Sequence, residues 1–211
     1  GYGLHHQMPG VATLYDQTRL ADGSYVKLNE NLDFSRAHHF VIGYDKMFKN
    51  RIHFKTEAYY QVVSGEVVER MPNDFSSLNY GSFNISTPDS VMNGGLGYNY
   101  GLDITLEKFM DKGFYFMSTL SLFESQYQGS DGVWRNTAFN GNYVFNALGG
   151  KEFVLKKGDS GKRNTLTVDS KVTLAGGQRY TPLDLQASIA QNEAVFNEAN
   201  AFGAQYDPYF R

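Results

Sequence analysis

The sequence predicts an all-β fold: an antiparallel up-and-down transmembrane β-barrel portion with about six long strands, short periplasmic turns and long extracellular loops. Three observations support this prediction. Several segments alternate between apolar and polar residues, these runs are about twice as long as ordinary strands, and short connections alternate with long ones. The chain is also rich in aromatic residues, with 16 Phe and 15 Tyr, and has 22 glycines, a composition typical of β-proteins.

The composition argues against several classes of function. A formal net charge of −3 without a basic cluster argues against nucleic-acid binding. The chain has no cysteine, which excludes disulfides, thiol nucleophiles and thiolate metal sites within it. No apolar run is long enough for a transmembrane helix, and no secretory signal peptide opens the chain.

Residues 1–36 are predicted to form an extracellular loop region. Within it, "TRLADGSYVKL" (residues 18–28) is compatible with a short hairpin that turns on Asp22-Gly23. The pairs His5-His6 and His38-His39 invite a metal site, but adjacent residues of a strand point to opposite faces. We therefore predict no metal site and no cofactor.

Residues 37–175 are predicted to contain the barrel strands. In the run 98–107 every even position is apolar and every odd position is polar or glycine, which is the signature of a strand with one apolar face. The six runs are 36–47, 51–62, 98–107, 114–125, 142–155 and 164–174. The charged residues of the opposite face, which we expect to line a lumen, are Arg51, His53, Lys55, Glu57, Asp103, Glu107, Asp169 and Lys171.

The length and charge of these runs favour a membrane barrel over a soluble sandwich. Strands of soluble proteins are typically about 5–6 residues long, whereas a tilted membrane-spanning strand needs roughly 9–11. In the three cleanest runs (51–62, 98–107 and 164–174) the apolar face carries no charge. This exclusion matters in a bilayer, where a Lys or Arg on the lipid face costs about 2–4 kcal/mol at the midplane.

The connections supply an independent indication. Those around 48–50, 110–113 and 156–163 are short, whereas 64–96, 126–141 and 176–211 are long. Strict alternation of short turns and long loops is typical of outer-membrane barrels. The aromatic residues near the short turns, which suit an interfacial girdle or simple cross-strand pairing, are Phe48, Phe109, Phe114, Tyr115, Phe116 and Phe153.

Four segments resemble successive parts of a known family. They are "HHFVIGYDKMFKNRIHFKTEAYYQ", "NYGLDITLEKFMDKGFYFMSTLSLFESQY", "DGVWRNTAFNGNYVFNALGGKEF" and "AGGQRYTPLDL…YDPYFR". In this order they resemble the C-terminal barrel half of TonB-dependent outer-membrane receptors, of the group that carries a carboxypeptidase-regulatory-like domain. The resemblance covers most of residues 30–211.

The resemblance implies a 22-stranded barrel in the cell outer membrane that is plugged by an N-terminal domain and imports a scarce ligand with energy transmitted by TonB. This chain contains neither the plug nor a TonB-contacting segment, and six strands are too few to close a membrane barrel. We therefore interpret it as a barrel portion. Residues 176–211 are then a long extracellular loop that leads to one or more final strands missing from the chain.

Candidate ligand-binding residues lie in two of the predicted loops. Trp134, the only tryptophan, stands beside Arg135 in "GSDGVWRN", and Arg179 with Tyr180 follows a glycine pair at the start of the last loop. Exposed aromatic residues beside arginine are frequent in recognition surfaces. The alternative is that these side chains pack one loop against another.

The sequence offers no support for an enzyme. Asp103 and Glu107 share a strand face but are about 13 Å apart in an extended chain, beyond the roughly 5–9.5 Å between glycosidase carboxylates. No nucleophile stands in a recognised motif. The alternatives to a receptor are a soluble or surface β-sandwich that binds glycans, an outer-membrane hydrolase and a passive porin. The identity of the imported ligand stays open.

Overall fold

The computed structural model describes residues 1–79, 88–157 and 163–211. The strands are β1 (Tyr2–Gln7), β2 (Thr18–Arg19), β3 (Tyr25–Val26), β4 (Ser35–Phe48), β5 (Ile52–Glu69), β6 (Val91–Asp111), β7 (Phe114–Gln128), β8 (Trp134–Asn136), β9 (Tyr143–Lys157), β10 (Arg163–Ala175), β11 (Arg179–Tyr180), β12 (Ala204–Gln205) and β13 (Tyr209–Phe210). The helices are α1 (Val11–Tyr15) and α2 (Leu185–Gln191), with 3-10 turns at Lys49–Arg51, Ser77–Asn79 and Glu198–Asn200.

The described residues confirm an all-β fold that is mostly antiparallel, but the predicted strand number is wrong. Residues 1–79, 88–157 and 163–211 contain thirteen strands rather than about six. Strands β4, β5, β6, β7, β9 and β10 have 13 to 21 residues and correspond to the six alternating runs. The others have two to six residues and belong to the loops and termini, where they pair with one another or with the ends of the long strands.

The long strands form one antiparallel meander that does not close into a barrel. The nine-stranded sheet has the order β1-β4-β5-β6-β7-β9-β10-β13, with β8 added to the loop end of β7. One edge is β1, which lies in the predicted loop region 1–36 yet pairs with β4. The other edge is β10, except at its last two residues, which pair with β13. The predicted hairpin region contains the two-stranded sheet β2–β3.

Two of the predicted connections lie partly outside the described residues. These are 64–96, of which residues 80–87 are not described, and 156–163, of which residues 158–162 are not described. The described part of the first connection shows that β5 and β6 extend beyond the predicted runs. A bulge at Gly65, where φ is +73°, shifts the register between Ser64 and Glu66. Beyond the bulge, buried valines replace the alternation, which explains why the pattern hid this part of the strands.

Cross-strand pairing brings the apolar positions of all six long strands to one face. Tyr60, for example, lies opposite Phe40 on one side and Tyr100 on the other. We call this surface the apolar face and the opposite surface the polar face. Many side chains of the apolar face are exposed; Ile42 is 75% exposed and Val168 is 56% exposed. Among the described residues no second layer covers the apolar face.

The packed core lies at the loop end of the sheet. The buried apolar residues are Val63, Val67, Val68, Val91, Tyr127 and Ala201, all at or beyond the ends of strands that lead into the long loops. The chain exposes 13,934 Å² of surface, whereas a compact soluble protein of 23.7 kDa exposes about 9,800 Å². The fold therefore leaves a large surface exposed, which is available for contact with another molecule or with lipid.

The strand ends are staggered across the sheet. The β4–β5 ladder ends where Phe48 pairs with Ile52. Across the sheet, Ile52 pairs with Lys108, and Lys108 pairs with Phe116. Strands β6 and β7 both extend beyond this row of paired residues before the turn that joins them. Strands β9 and β10 continue further in the same direction. A progressive stagger of this kind accompanies strand tilt in barrels.

Two glycines let tyrosine rings lie across neighbouring strands on the polar face. A Cβ at Gly101 would stand 2.5 Å from the Tyr59 hydroxyl oxygen and 2.7 Å from the Leu122 carbonyl oxygen. Gly150 similarly leaves room for Tyr115, whose hydroxyl donates to Asp169 at 2.7 Å. The glycines are therefore required by packing rather than by a turn.

We expect Gly101→Ala to lower the free energy of unfolding by about 1–3 kcal/mol, because a new methyl group beside a backbone carbonyl cannot be accommodated by a rotamer change. Denaturant unfolding followed by circular dichroism measures this loss. Gly43→Ala is the matched control. Gly43 lies on β4 and, like Gly101, on the polar face of the sheet. The nearest atom to its new Cβ would be Cγ of the flexible Glu57 side chain, at 3.3 Å. Equal losses in both variants would contradict the packing argument.

Candidate functional site

The polar face brings together seven of the eight residues predicted to line a lumen. His53 Nε2 lies 2.9 Å from Asp45 Oδ1, and its Nδ1 lies 3.7 Å from Glu107. Lys55 pairs with Glu57 at 2.6 Å. The eighth residue, Arg51, lies instead in the turn between β4 and β5 and donates to the carbonyl oxygen of Met110.

The other predicted lumen residues follow the same face across the sheet. Asp103 lies opposite Glu57, and the pair of like charges has Lys55 beside it. Asp169 accepts the hydrogen bond from Tyr115, and Lys171 lines an open recess of about 550 Å³. The polar face is thus a continuous wall of charged and hydrogen-bonded side chains.

Neutral polar side chains continue this wall toward the loops. Asn99 donates to Gln61 at 2.7 Å, and Ser125 donates to Asn99 at 2.5 Å. Thr137 donates in turn to Ser125 at 2.9 Å. Two adjoining recesses of about 280 and 420 Å³ open beside this chain of hydrogen bonds. Polar side chains that line them include His5, Gln7, Ser35, Gln61, Glu66 and Asn99.

The histidine pairs do not converge on a metal position. Tyr2 Oη lies 2.9 Å from His38 Nδ1 on the apolar face, whereas His39 packs edge-on against Tyr59 on the polar face. Within residues 1–79, 88–157 and 163–211 no three potential ligands group together. None of the helices in these segments is long and apolar enough to cross a membrane.

The structure separates the neighbours Trp134 and Arg135. Because β8 is a strand, Trp134 points to the apolar face, where its ring lies 4.9 Å from that of Tyr98. Arg135 points to the other side and makes two hydrogen bonds with Asp131, at 2.9 and 2.6 Å. The Arg135 side chain is only 9% exposed. Both residues therefore have partners within the protein.

Arg179 and Tyr180 lie on β11 in the last loop. Arg179 donates from Nε to the Asn140 carbonyl oxygen and from Nη2 to Asn142 Oδ1. Tyr180 stacks on Tyr206, with ring centroids 4.3 Å apart. This part of the loop is a platform with one anchored cation and one stacked aromatic pair.

The platform forms one wall of an open groove of about 570 Å³ between the loops. We call it the loop groove; its lining residues are Asp74, Arg179, Tyr180, Thr181, Phe196, Glu198, Phe202 and Tyr206. Four aromatic side chains, two carboxylates and one guanidinium offer both stacking and hydrogen-bonding partners, as in many ligand sites. The loop groove is the best candidate for ligand capture within the described residues.

Phe202 occupies a rare backbone conformation in this groove. Its φ is +54°, in the left-handed region that bulky residues seldom adopt. Its ring packs edge-on against the fully buried Tyr127, and its amide donates to the Thr181 hydroxyl oxygen at 3.2 Å. Such conformations persist where their surroundings enforce them, frequently at ligand sites.

A buried hydrogen-bond network ties the loop groove to the sheet. The Glu124 carboxylate accepts from Asn140 at 2.8 Å and from Asn142 at 2.7 Å. Asn140 is fully buried, and Asn142 also accepts from Arg179. Since Glu124 belongs to β7, the network fixes Arg179 relative to a long strand.

Sequence reasoning missed six of the residues that line the groove. They are Asp74, Thr181, Phe196, Glu198, Phe202 and Tyr206, which come from two segments far apart in the chain. The one available signal was the density of aromatic residues between positions 196 and 210. The contribution of Asp74 has no local signal, because loop folding alone brings it to the groove.

Comparisons with protein-family models, with curated proteins and with solved structures found no match.

We expect Asp131→Asn to lower the free energy of unfolding by about 1–3 kcal/mol at neutral pH, since it leaves the buried Arg135 without its charged partner. The hydrogen bond from Arg135 holds the pKa of Asp131 below its usual range. The stabilisation is therefore complete above about pH 4, the usual value of an Asp in the unfolded chain, and is lost as the pH falls through the lowered value in the folded protein.

Denaturant unfolding by circular dichroism between neutral and acidic pH measures this difference between wild type and variant. The difference should shrink as the solution becomes more acidic. Asp207→Asn, at an exposed position of the last loop, is the control and should behave as wild type. A difference that stays constant down to acidic pH would contradict the proposed role of the Asp131 charge.

Proposed function

We propose that this chain is the C-terminal barrel portion of a TonB-dependent outer-membrane receptor, a transporter that binds and imports a scarce ligand, and not an enzyme. The observation that carries the membrane part of the proposal is the apolar face, which spans six long strands and has no protein layer against it within the described part of the chain. The receptor family is proposed from the resemblance of the four sequence segments.

The distribution of charge on the apolar face supports a lipid neighbour. In the long strands the fully charged residues of this face stand near its two ends, Arg36 and Glu124 toward the loops and Lys46, Lys108 and Lys151 toward the turns. Asp111 lies beside the turn as well. The described positions between them carry no Asp, Glu, Lys or Arg, as the cost of a charge in hydrocarbon requires.

Aromatic side chains mark both borders of the uncharged band. Toward the loops the apolar face carries Phe40, Tyr60, Tyr98, Tyr100 and Tyr143, and toward the turns it carries Phe48, Phe54, Phe114, Phe116 and Phe153. Aromatic girdles at both interfaces are typical of outer-membrane barrels.

The separation of the two girdles fits a thin bilayer. Phe40 and Phe48 are eight residues apart on β4. At about 3.3 Å per residue and a tilt of roughly 40°, that length spans about 20 Å along the membrane normal. The hydrophobic band of an outer-membrane barrel is about 25 Å tall.

The open sheet requires further strands in this proposal. Among the described residues, its edges are β1 on one side and, on the other, β10, of which only the last two residues pair with β13. Such edges leave backbone groups unpaired, which a bilayer does not tolerate. We propose that additional barrel strands pair with these edges and that an N-terminal plug, through which TonB acts, fills the lumen. These parts would come from sequence outside this chain.

The polar face and the loop groove then have separate roles. The polar face lines the lumen against the plug, and the loop groove outside the membrane captures the ligand. The competing proposal, a soluble β-sandwich that binds glycans, has less support, because it needs a second sheet against the apolar face and the described residues supply none.

The test uses single cysteines on β6 of the full-length protein; these 211 residues contain no cysteine of their own, and any cysteine elsewhere in the protein is first replaced by serine. We expect cysteines at Leu102 and Ile104 to be protected from a water-soluble maleimide and quenched by lipid-borne spin labels when they carry a fluorophore. Cysteines at Asp103 and Thr105 are the matched controls on the polar face. They should not be quenched, since alternate residues point away from the lipid.

Quenching at every second position would support a bilayer-spanning strand. Absence of lipid quenching at all four positions would overturn the membrane proposal and favour the sandwich.

A further inference from the structure

Cationic side chains gather at the turn end of the sheet. Residues 46–52 and 108–114, around the two described turns, contain five Lys or Arg residues and one acidic residue, Asp111. The loop end has the opposite balance: residues 129–142 and 176–207 contain five acidic residues and two arginines. The fold thus separates charge along the strand direction, which the overall net charge conceals.

Two of these cations, Lys46 and Lys108, lie on the apolar face, and so does Lys151, which pairs with Phe114 beside the second turn. Lys46 is on β4, Lys108 on β6 and Lys151 on β9, so each is two strands away from the next in the sheet order. Lys108 lies one row of apolar-face residues closer to the turns than Lys46, and Lys151 lies one row closer than Lys108. The displacement is therefore two residues for every two strands.

This displacement equals the register offset expected from strand tilt. The offset is one residue, about 3.3 Å, between neighbouring strands that are about 4.8 Å apart, which corresponds to a tilt of roughly 35°. This tilt lies within the range of membrane barrels. In a barrel with that tilt the three lysines stand at the same height. They also stand among the turn-end aromatic residues: Lys46 Nζ lies 5.7 Å from the ring centroid of Phe48, and Lys151 is paired with Phe114.

The three lysines differ in their surroundings. Lys46 and Lys151 are exposed. Lys108 is 18% exposed and lies 4.0 Å from Asp111. Neighbouring lysines are separated laterally by about 10 Å, two strand spacings, so each would meet its own anionic group rather than share one small ion.

We propose that this row of lysines binds the phosphate groups of anionic phospholipids in the leaflet at the turn end. The inference rests on the proposed membrane-spanning function and adds the chemistry of the lipid that the barrel wall selects. A cation at the headgroup level attracts anionic lipid, and a lysine can extend its ammonium group from the apolar boundary to the headgroups. At the loop end, the described part of the apolar face carries one cation, Arg36, and one acid, Glu124, rather than a row of cations.

The experiment measures lipid selectivity by electron spin resonance of the full-length protein reconstituted in phosphatidylcholine vesicles. Spin-labelled phosphatidylglycerol and phosphatidylcholine report the fraction of lipid that is motionally restricted by the protein. We expect the wild type to prefer phosphatidylglycerol by about twofold or more at low salt. The double variant Lys46→Gln/Lys151→Gln should lose most of that preference, and high salt should weaken it in the wild type.

Two further double variants distinguish an effect of the charge at this row from an effect of total charge or of altered folding. Arg19→Gln/Lys27→Gln removes two exposed cations from the β2–β3 hairpin and should keep the wild-type preference. Lys46→Arg/Lys151→Arg keeps the charge at the row and should also keep it. If the glutamine variant fails to fold, salt dependence in the wild type and retention in the arginine variant still test the proposal.

The outcomes distinguish the two proposals. Restricted lipid without any preference for phosphatidylglycerol in the wild type, or an equal loss in the hairpin variant, would overturn the lysine row and leave the barrel in place. If neither lipid shows a restricted component, the protein has no lipid-facing wall, and the membrane proposal fails together with this one.

Discussion

The antiparallel ladder of six long strands is the feature on which the rest of this structure depends. Hydrogen bonds between neighbouring strands fix the register, and the register brings every second side chain to the same face. The result is a wide apolar face opposite a continuous polar face. An apolar face of this size is stable only against another apolar medium. This requirement links the fold to a lipid neighbour or a protein partner.

The protein places its close packing at one end of the sheet. Buried side chains such as Val68, Tyr127 and Asn140 gather beneath the long loops, whereas the middle of the sheet is held by backbone pairing and by polar contacts on one face. This division suits a wall between two media with a folded cap at one side. The cap can hold an open aromatic groove because Glu124 and its amide partners fasten the loops to β7.

Charge follows the same division. The apolar face carries its charges near the two ends, acids predominate in the described loops, and cations predominate around the two described turns. The stagger of the strands and the positions of the outward lysines agree with a single direction of tilt. Aromatic borders, charge and stagger are independent properties of the sequence and the register, and each is compatible with the same orientation in a bilayer.

Alternation of apolar and polar residues by itself determined the six long strands and the residues on each face, because a strand has a period of two whatever surrounds it. The sequence did not determine how far β5 and β6 continue beyond Gly65, since burial on both faces removes the alternation there. Nor did it determine that Trp134 and Arg135 point to opposite faces, or that Asp74 and Tyr206 line the same groove. Only the tertiary structure decided these features, because loop positions depend on contacts between residues far apart in the chain.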